Sequence, residues 1–136
     1  MAENVVSGEE GAIEEFLNCA VFAVAGVSSN PEKFGARVYR DLLAAGKRVY
    51  GINPRLKQLD GETIYAGIED LPETPDVLTL VVPAKIGLEL ARAARARGVR
   101  RVWMQPGAES EELLAFCRDA GIQTVHDQCV MIRLRR

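Results

Sequence analysis

Short apolar runs alternate with helical patterns along this chain, and three of the helical patterns end at a glycine shortly before the next apolar run. The apolar runs span residues 20–25, 48–52, 77–82, 101–104 and 122–125, each of strand length. The glycines are Gly46, Gly98 and Gly121, and glycine readily adopts the left-handed conformation that ends a helix. A repeated order of strand, helix and strand requires parallel crossover connections. The sequence therefore predicts an α/β fold with a doubly wound, mainly parallel sheet.

Both faces of the predicted sheet are expected to carry helices. The runs at 20–25 and 77–82 are apolar almost throughout, as in strands that are buried on both sides. A further short strand near residues 63–65 brings the sheet to about five or six strands. The covering helices are indicated by apolar residues three or four positions apart. Their predicted core-facing residues are Phe34, Val38 and Leu42, then Ile86, Leu90, Ala93 and Ala94, then Leu113, Cys117 and Ala120.

Length and composition indicate one domain with a leading segment. The chain has 136 residues, of which 48% are hydrophobic, enough for one core. Residues 1–19 are predicted to form a polar segment and a helix over residues 8–18, which packs on the domain of residues 20–136 through Ile13, Phe16 and Leu17. No run is long enough to span a membrane, and the acidic start does not resemble a secretory signal.

The net charge bears on nucleic-acid binding, and the cysteine content bears on the cellular compartment. The net charge of −2 gives no general attraction to nucleic acid, so any anion site must be local. The three cysteines are an odd number and lack the spacing of a zinc site. They predict reduced thiols in a cytoplasmic protein.

The segment after the first strand has the composition of a phosphate-binding turn. It lacks the G-x-G-x-x-G fingerprint of dinucleotide sites, but Gly26 permits a tight turn. Ser28 and Ser29 offer hydroxyl and amide groups to a phosphate, and Lys33 adds a positive charge. These residue types are suited to a phosphate at the carboxyl edge of the sheet.

The same segment also carries signals for the helix that follows it. Asn30 and Pro31 are typical of a helix cap followed by proline in the first turn, and free N–H groups at a helix start attract anions. Gly35 is expected to permit a close approach of this helix to the sheet or to a ligand. The alternative is a capped strand-to-helix turn without a ligand, since serine and asparagine are favoured there in any protein.

The end of the second strand bears on the kind of cofactor. An NAD site usually has an acidic residue there, which binds the ribose diol. This strand ends in "GINPR" at residues 51–55, with Arg55 in place of a carboxylate. Arginine favours a phosphorylated ribose, as in NADP or coenzyme A. The alternative is an exposed loop arginine.

The third and fourth long strands add residues to the same edge. Val82 and Pro83 follow the third strand and are suited to flank an adenine ring. Gln105 and Gly107 follow the fourth strand. Trp103 is interpreted as a core residue.

Four segments together resemble the coenzyme A-binding domain family, a Rossmann-like module that also forms the first domain of succinyl-coenzyme A synthetase α-subunits. The segments are "GVSSNPEKFG" at 26–35, "YGINP" at 50–54, "VWMQPG" at 102–107 and "DQC" at 127–129. They occur in the family's order between about residue 20 and residue 131, and the resemblance is closest to free-standing, single-domain members. Val27 stands where the family often has alanine.

The resemblance implies a role for each of the residues singled out above. Gly26, Ser28, Ser29 and Lys33 would surround the phosphates. The other implied contacts are Asn53, Pro54 and Arg55 at the adenosine ribose, Val82 and Pro83 at the adenine, and Gln105 and Gly107 along the remaining groove.

Candidates for catalysis are few. His126 lies beside Asp127 and is suited to act as a general base, although we favour a histidine satisfied by a backbone carbonyl at a strand end. Cys129 could form a mixed disulfide with coenzyme A, but we favour a buried structural thiol. The resemblance also implies that the larger ligases carry a phosphorylated catalytic histidine in a second domain. Because this chain is predicted to form a single domain, we expect no counterpart of that histidine.

The sequence thus predicts a non-catalytic protein that binds coenzyme A or an acyl-coenzyme A, with an unknown protein partner and no nucleic acid, membrane or metal ligand. Two alternatives stay open. One is an NADP-binding, oxidoreductase-like module, and the other is a nucleotide-sensing regulator.

Overall fold

A computed structural model describes residues 10–135, which form one sheet with helices packed on both of its faces. The strands are β1 (Val21–Ala25), β2 (Arg48–Ile52), β3 (Gln58–Leu59), β4 (Glu62–Tyr65), β5 (Val77–Leu80), β6 (Arg101–Met104) and β7 (Gln123–Val125). The helices are α1 (Ala12–Leu17), α2 (Phe34–Ala44), α3 (Ala84–Arg97), α4 (Glu111–Asp119) and α5 (Val130–Leu134), and a 3-10 turn spans Ile68–Asp70. No helix within these residues is both long and apolar enough to cross a membrane.

The strand order is β3-β4-β2-β1-β5-β6-β7, and every pair except β3–β4 is parallel. From β1 the chain crosses to β2 on one side and later returns to β5 on the other side. The carboxyl ends of these three strands are level, because Ala25 is paired with both Ile52 and Leu80. This Rossmann-like, doubly wound sheet confirms the predicted fold class, and the crevice at such a reversal is where open α/β sheets bind ligands.

The sheet has seven strands, more than the five or six predicted. The strand that was not predicted is β3, which forms a small antiparallel hairpin with β4 and pairs Leu59 with Glu62. Asp60 and Gly61 between them both have positive φ angles, 53° and 82°. Asp-Gly is a strong signal for such a tight hairpin turn, so the sequence did contain this information.

Each face of the sheet has its own hydrophobic core. On one face Leu80 packs in a buried cluster with Leu113 of α4, and α3 lies over the same cluster. On the other face Phe22 and Val24 pack with Leu42 of α2, and α1 and α5 join that cluster. Helices therefore cover both faces, as predicted.

Trp103 is fully buried, which confirms its interpretation as a core residue. Its ring meets that of Phe16 edge to face, with centroids 6.1 Å apart. Its indole Nε1–H donates to the carbonyl of Gln128 at 2.8 Å. This satisfies the one polar atom of the side chain and joins α1 to β6 and the chain before α5.

The predicted helix faces are displaced slightly from the observed ones. Phe34 is 59% exposed and Ile86 is 48% exposed, although both were predicted to face the core. In α2 the buried residues are Gly35, Ala36, Val38, Tyr39 and Leu42, and in α3 they are Gly87, Leu88, Ala91 and Ala94. Small residues therefore replace the large ones at the start of each buried face, because the helices approach the sheet closely there.

The leading helix is shorter than predicted within the described residues. The prediction spanned residues 8–18, of which 8 and 9 lie outside the described part of the chain. The helix observed is α1, Ala12–Leu17, and its buried residues are Ile13, Phe16 and Leu17, as predicted.

Gly35 lies where α2 comes closest to the end of β1. A Cβ built on Gly35 would overlap the carbonyl oxygen of Gly26. A backbone carbonyl next to a strand end cannot move aside as a flexible side chain can, so the close approach predicted for Gly35 depends on its being glycine.

We expect Gly35→Ala to lower the free energy of unfolding by about 3 kcal/mol, the upper range for overpacking. Gly87→Ala is the matched control, a glycine within α3. Its Cβ would lie 3.2 Å from the methyl ends of Leu80 and Leu113, which can adjust. Because alanine also favours helix by about 1 kcal/mol, we expect a net change under about 1 kcal/mol. Urea unfolding followed by circular dichroism measures both, and equal stability of the two variants would contradict the steric role of Gly35.

Candidate functional site

A groove of about 610 Å³ opens at the carboxyl edge of the sheet, on the face that carries α3. It lies where the ends of β1, β2 and β5 meet, beside the loop that follows β4. Its lining residues are Ala25, Gly26, Ile52, Asn53, Pro54, Arg55, Ala66, Gly67, Glu69, Val82, Ile86, Glu89, Leu90 and Ala93. Of the predicted site residues, the groove brings together Gly26, Asn53, Pro54, Arg55 and Val82. A cavity of this size with mainly apolar walls and a few polar groups is typical of a small-molecule site.

Gly26 forms the tight turn that was predicted after β1. Its φ angle is +99°, a conformation that side chains other than glycine rarely adopt. Its N–H donates to the carbonyl of Ile52 at 3.1 Å, and a Cβ on it would overlap the carbonyl of Val81. Both the backbone conformation and the space around it therefore require glycine.

The serine-rich turn lies next to the groove rather than in its lining. The Ser28 hydroxyl oxygen accepts from the N–H of Asn30 at 3.0 Å, which leaves its O–H free to donate. Ser29 and Lys33 are exposed. Lys33 is the N-cap residue of α2, so the free N–H groups of the first helical turn follow it directly.

The helix cap predicted at Asn30 and Pro31 is not formed. The Asn30 side-chain oxygen accepts from the N–H of Glu32 at 3.0 Å, which makes a local turn, and α2 begins only at Phe34. Asparagine is favoured in both settings, and the sequence alone does not separate them.

Asn53 connects the loops that surround the groove. Its side-chain N–H donates to the carbonyl of Val27 at 2.7 Å, and its side-chain oxygen accepts from the N–H of Arg55 at 2.7 Å. Its own N–H donates to the carbonyl of Tyr65 at 2.9 Å, at the end of β4. Asn53 thus joins its own loop to the turn after β1 and to the end of β4, and both the oxygen and the nitrogen of its side-chain amide are hydrogen-bonded.

Arg55 is an exposed cation at the rim of the groove. Within residues 10–135 no ion pair or side-chain hydrogen bond engages its guanidinium. On the opposite side, Val82 is half-buried in the lining, and Pro83, the N-cap of α3, lies outside it and is exposed.

Gln105 and Gly107 lie at the same edge but outside the lining of the groove. Gln105 is buried, with its side-chain oxygen accepting from the N–H of Val130 at 2.7 Å and its side-chain nitrogen 3.5 Å from Sγ of Cys129. Its amide therefore anchors the start of α5. Gly107 is exposed with a φ angle of +92°, and its N–H donates to the Glu109 carboxylate at 3.1 Å.

The candidate reactive groups lie away from the groove. His126 was expected to meet a backbone carbonyl, but its Nδ1 lies 3.0 Å from the Asp127 carboxylate. Cys129 is half-buried rather than fully buried. Burial raises the pKa of the Cys117 thiol to about 11, which keeps it protonated at neutral pH. Residues 10–135 contain no group of three or more side chains suited to hold a metal ion.

The groove includes residues that sequence reasoning did not assign to a site. Ile86, Glu89, Leu90 and Ala93 belong to one face of α3, and Glu69 belongs to the 3-10 turn. The positions on α3 share a helical spacing, but that spacing predicts a core face equally well.

Comparison with known proteins relates most of the chain to a coenzyme A-binding module. A family model described as a CoA binding domain matches residues 20–135. Over 131 residues the chain is 26% identical to the alpha subunit of acetate–CoA ligase (ADP-forming) II from Pyrococcus furiosus, a match that covers 88% of this chain and 29% of that subunit. The chain therefore spans less than a third of the length of this curated relative.

Two solved structures are similar over most of their length. A conserved hypothetical protein from Pyrococcus furiosus is 38% identical with a TM-score of 0.80, covering 84% of this chain and 98% of that chain. A hypothetical protein from Pyrococcus horikoshii OT3 is 29% identical with a TM-score of 0.88, covering 93% and 92%. Free-standing single domains of this kind therefore occur among the structural neighbours.

We expect Asn53→Ala to lower the free energy of unfolding by about 1–3 kcal/mol, because it leaves the buried carbonyl of Val27 without its partner. Asn30→Ala is the matched control, since Asn30 makes a local and exposed hydrogen bond to Glu32. That change should cost only about 0.5 kcal/mol. Urea unfolding of both variants is the measurement, and a loss at Asn53 no larger than at Asn30 would contradict its connecting role.

Proposed function

We propose, since the chain belongs to the CoA binding domain family, that this protein binds coenzyme A or an acyl-coenzyme A in the groove beside Gly26. The observation that carries this proposal is the groove itself. It combines the Gly26 turn, the free cation of Arg55 and apolar walls that include Val82. Such a combination suits a ligand that has both a flat apolar ring and several phosphates.

The phosphates are assigned to the turn between β1 and α2. Gly26 lets a ligand approach the backbone, and the Ser28 hydroxyl, Ser29 and Lys33 offer donors beside it. The free N–H groups at the start of α2 add a partial positive charge. These side-chain donors lie next to the groove and outside its lining, so the diphosphate would lie at its rim.

The adenosine part is assigned to the groove. Asn53, Pro54 and Arg55 form the side next to the ribose, with Arg55 facing the ribose phosphate. Val82 flanks the adenine, and Pro83 continues the same rim. Gly107 offers an exposed backbone to the rest of the ligand, whereas Gln105 contributes by anchoring α5.

The protein is proposed to bind its ligand without catalysing a reaction. His126 and Cys129 are outside the groove lining, and the Cys117 thiol is protonated at neutral pH. The match covers only 29% of its ligase relative, so most of that subunit has no counterpart in the matched part of this chain. A carrier, a sensor or a partner of an acyl-transfer enzyme fits these features. Three cysteines free of disulfides are in keeping with a cytoplasmic location.

An NADP-binding module is the second candidate, and Arg55 is the observation that favours it. Arginine at the end of the second strand is equally suited to the 2′-phosphate of NADP. Thermal stability in the presence of each cofactor separates the two candidates.

We expect coenzyme A to raise the melting temperature, and NAD and NADP to leave it unchanged. A ligand that binds only the folded state stabilises it by about 2.7 kcal/mol at a hundredfold excess over its dissociation constant. Differential scanning fluorimetry at matched ligand concentrations is the measurement. A shift from NADP as large as that from coenzyme A would overturn the assignment, and no shift from coenzyme A would refute the proposed function.

We expect Arg55 to account for recognition of the phosphate on the adenosine ribose. Titration of coenzyme A and its dephospho form into the parent protein and Arg55→Ala gives a double-mutant cycle. At low ionic strength the coupling energy should be about 1 kcal/mol, as for a charge pair at an exposed rim. Lys57→Ala is the matched control, because Lys57 is an exposed cation on the same loop outside the groove. Coupling near zero at Arg55, or equal coupling at Lys57, would count against this role.

A further inference from the structure

Glu89 stands on the helix that forms one wall of the groove. From α3, the lining residues are Ile86, Glu89, Leu90 and Ala93, spaced so that they share one face of the helix. Glu89 is the polar member of this set, with apolar neighbours on both sides along the helix. Glu89 therefore brings a carboxylate to a groove wall whose other α3 residues are apolar and suited to contact a flat ring.

The carboxylate of Glu89 is available to a ligand. It is exposed, and within residues 10–135 no ion pair or hydrogen bond engages it. The cations nearest to it along α3 do not pair with it, although Lys85 and Arg92 lie one helical turn away on either side. The Arg92 guanidinium instead lies over the ring of Phe116, 5.8 Å from its centroid.

A second carboxylate in the groove is oriented differently. Glu69 belongs to the 3-10 turn, and its Oε1 lies so close to Gly67 that a Cβ on Gly67 would overlap it. That carboxylate is folded back against its own turn. Glu69 therefore has the same charge as Glu89 and lines the same groove, but its carboxylate lies against Gly67.

The carboxylate of Glu89 is expected to repel an anionic ligand, so its presence in the groove calls for a compensating interaction. Repulsion between a carboxylate and the ligand phosphates lowers affinity, so Glu89 is unfavourable unless it accepts a hydrogen bond from the ligand. An ionised carboxylate accepts hydrogen bonds and donates none. The part of an adenine nucleotide that donates from its ring system is the 6-amino group.

We propose that Glu89 accepts a hydrogen bond from the 6-amino group of the ligand's adenine and thereby selects adenine over 6-oxo purines. This rests on the proposed function, since it concerns the base of the coenzyme A bound in the groove. A 6-oxo purine presents a carbonyl oxygen at that position, so two acceptors would face each other. Val82, Ile86 and Leu90 supply the apolar contact to the ring, which does not distinguish the two bases.

The experiment compares coenzyme A with its hypoxanthine analogue, in which an oxygen replaces the 6-amino group. Both are titrated by calorimetry into the parent protein, Glu89→Gln and Glu69→Gln, with melting temperatures checked for each variant. The parent protein should bind coenzyme A about tenfold more tightly than the analogue, as for loss of one hydrogen bond to a charged group. Glu89→Gln should lose this preference, because its amide both donates and accepts, and Glu69→Gln should keep it.

The possible outcomes separate this inference from the proposed function. Coenzyme A binding without discrimination in the parent protein would overturn the role of Glu89 and leave the proposed function standing. Loss of the preference in Glu69→Gln but not in Glu89→Gln would also overturn it. An absence of coenzyme A binding to the folded parent protein would refute both.

Discussion

The close packing of backbone segments around Gly26 is the constraint on which the rest of the site depends. The Gly26 N–H is bonded to Ile52 at the end of β2, and the Val81 carbonyl lies against its Cα from the end of β5. Gly35 packs on the Gly26 carbonyl from the start of α2. Three strand ends and one helix start therefore meet around a single residue without a side chain. A larger residue at Gly26 or Gly35 would separate these elements, and the groove between them would lose its shape.

The fold followed from sequence to a large extent because periodicity and glycine placement are local signals. The five strands predicted from apolar runs and the helices between them were each visible in this way, and Trp103 was rightly interpreted as core. The faces of α2 and α3 were less accurate. Phe34 and Ile86 lie at the edge of the apolar face of their helices. Periodicity identifies that face but does not show which of its edges contacts the sheet. That edge is chosen by close packing, which here favours Gly35 and Gly87.

The site was partly predictable, because carboxyl ends of parallel strands meet at one edge of a sheet. Gly26, Arg55 and Val82 were singled out by this rule and Asn53 by the family resemblance, and these four residues lie together in the lining of the groove. The engagement of Gln105 by Val130 was not predictable, since it joins residues 25 positions apart through the tertiary fold. The groove residues on α3 were missed because their local sequence pattern has two interpretations. Their spacing is that of an ordinary core-facing helix, and only the position of the groove shows that this face lines a cavity.

The residues around the groove divide into those that set its geometry and those that remain free to meet a ligand. The Asn53 side chain is hydrogen-bonded to backbone through both its oxygen and its nitrogen. The Gln105 side chain is bonded to the Val130 N–H and to Sγ of Cys129. Their contribution is to hold loops and α5 in place. Lys33, Arg55 and Glu89 are exposed charged side chains on that frame. Exposed charges of this kind usually change stability by no more than about 0.5 kcal/mol when replaced. The charges on this surface can therefore be changed one at a time without altering the packed backbone that forms the groove, so that effects on binding can be measured apart from effects on folding.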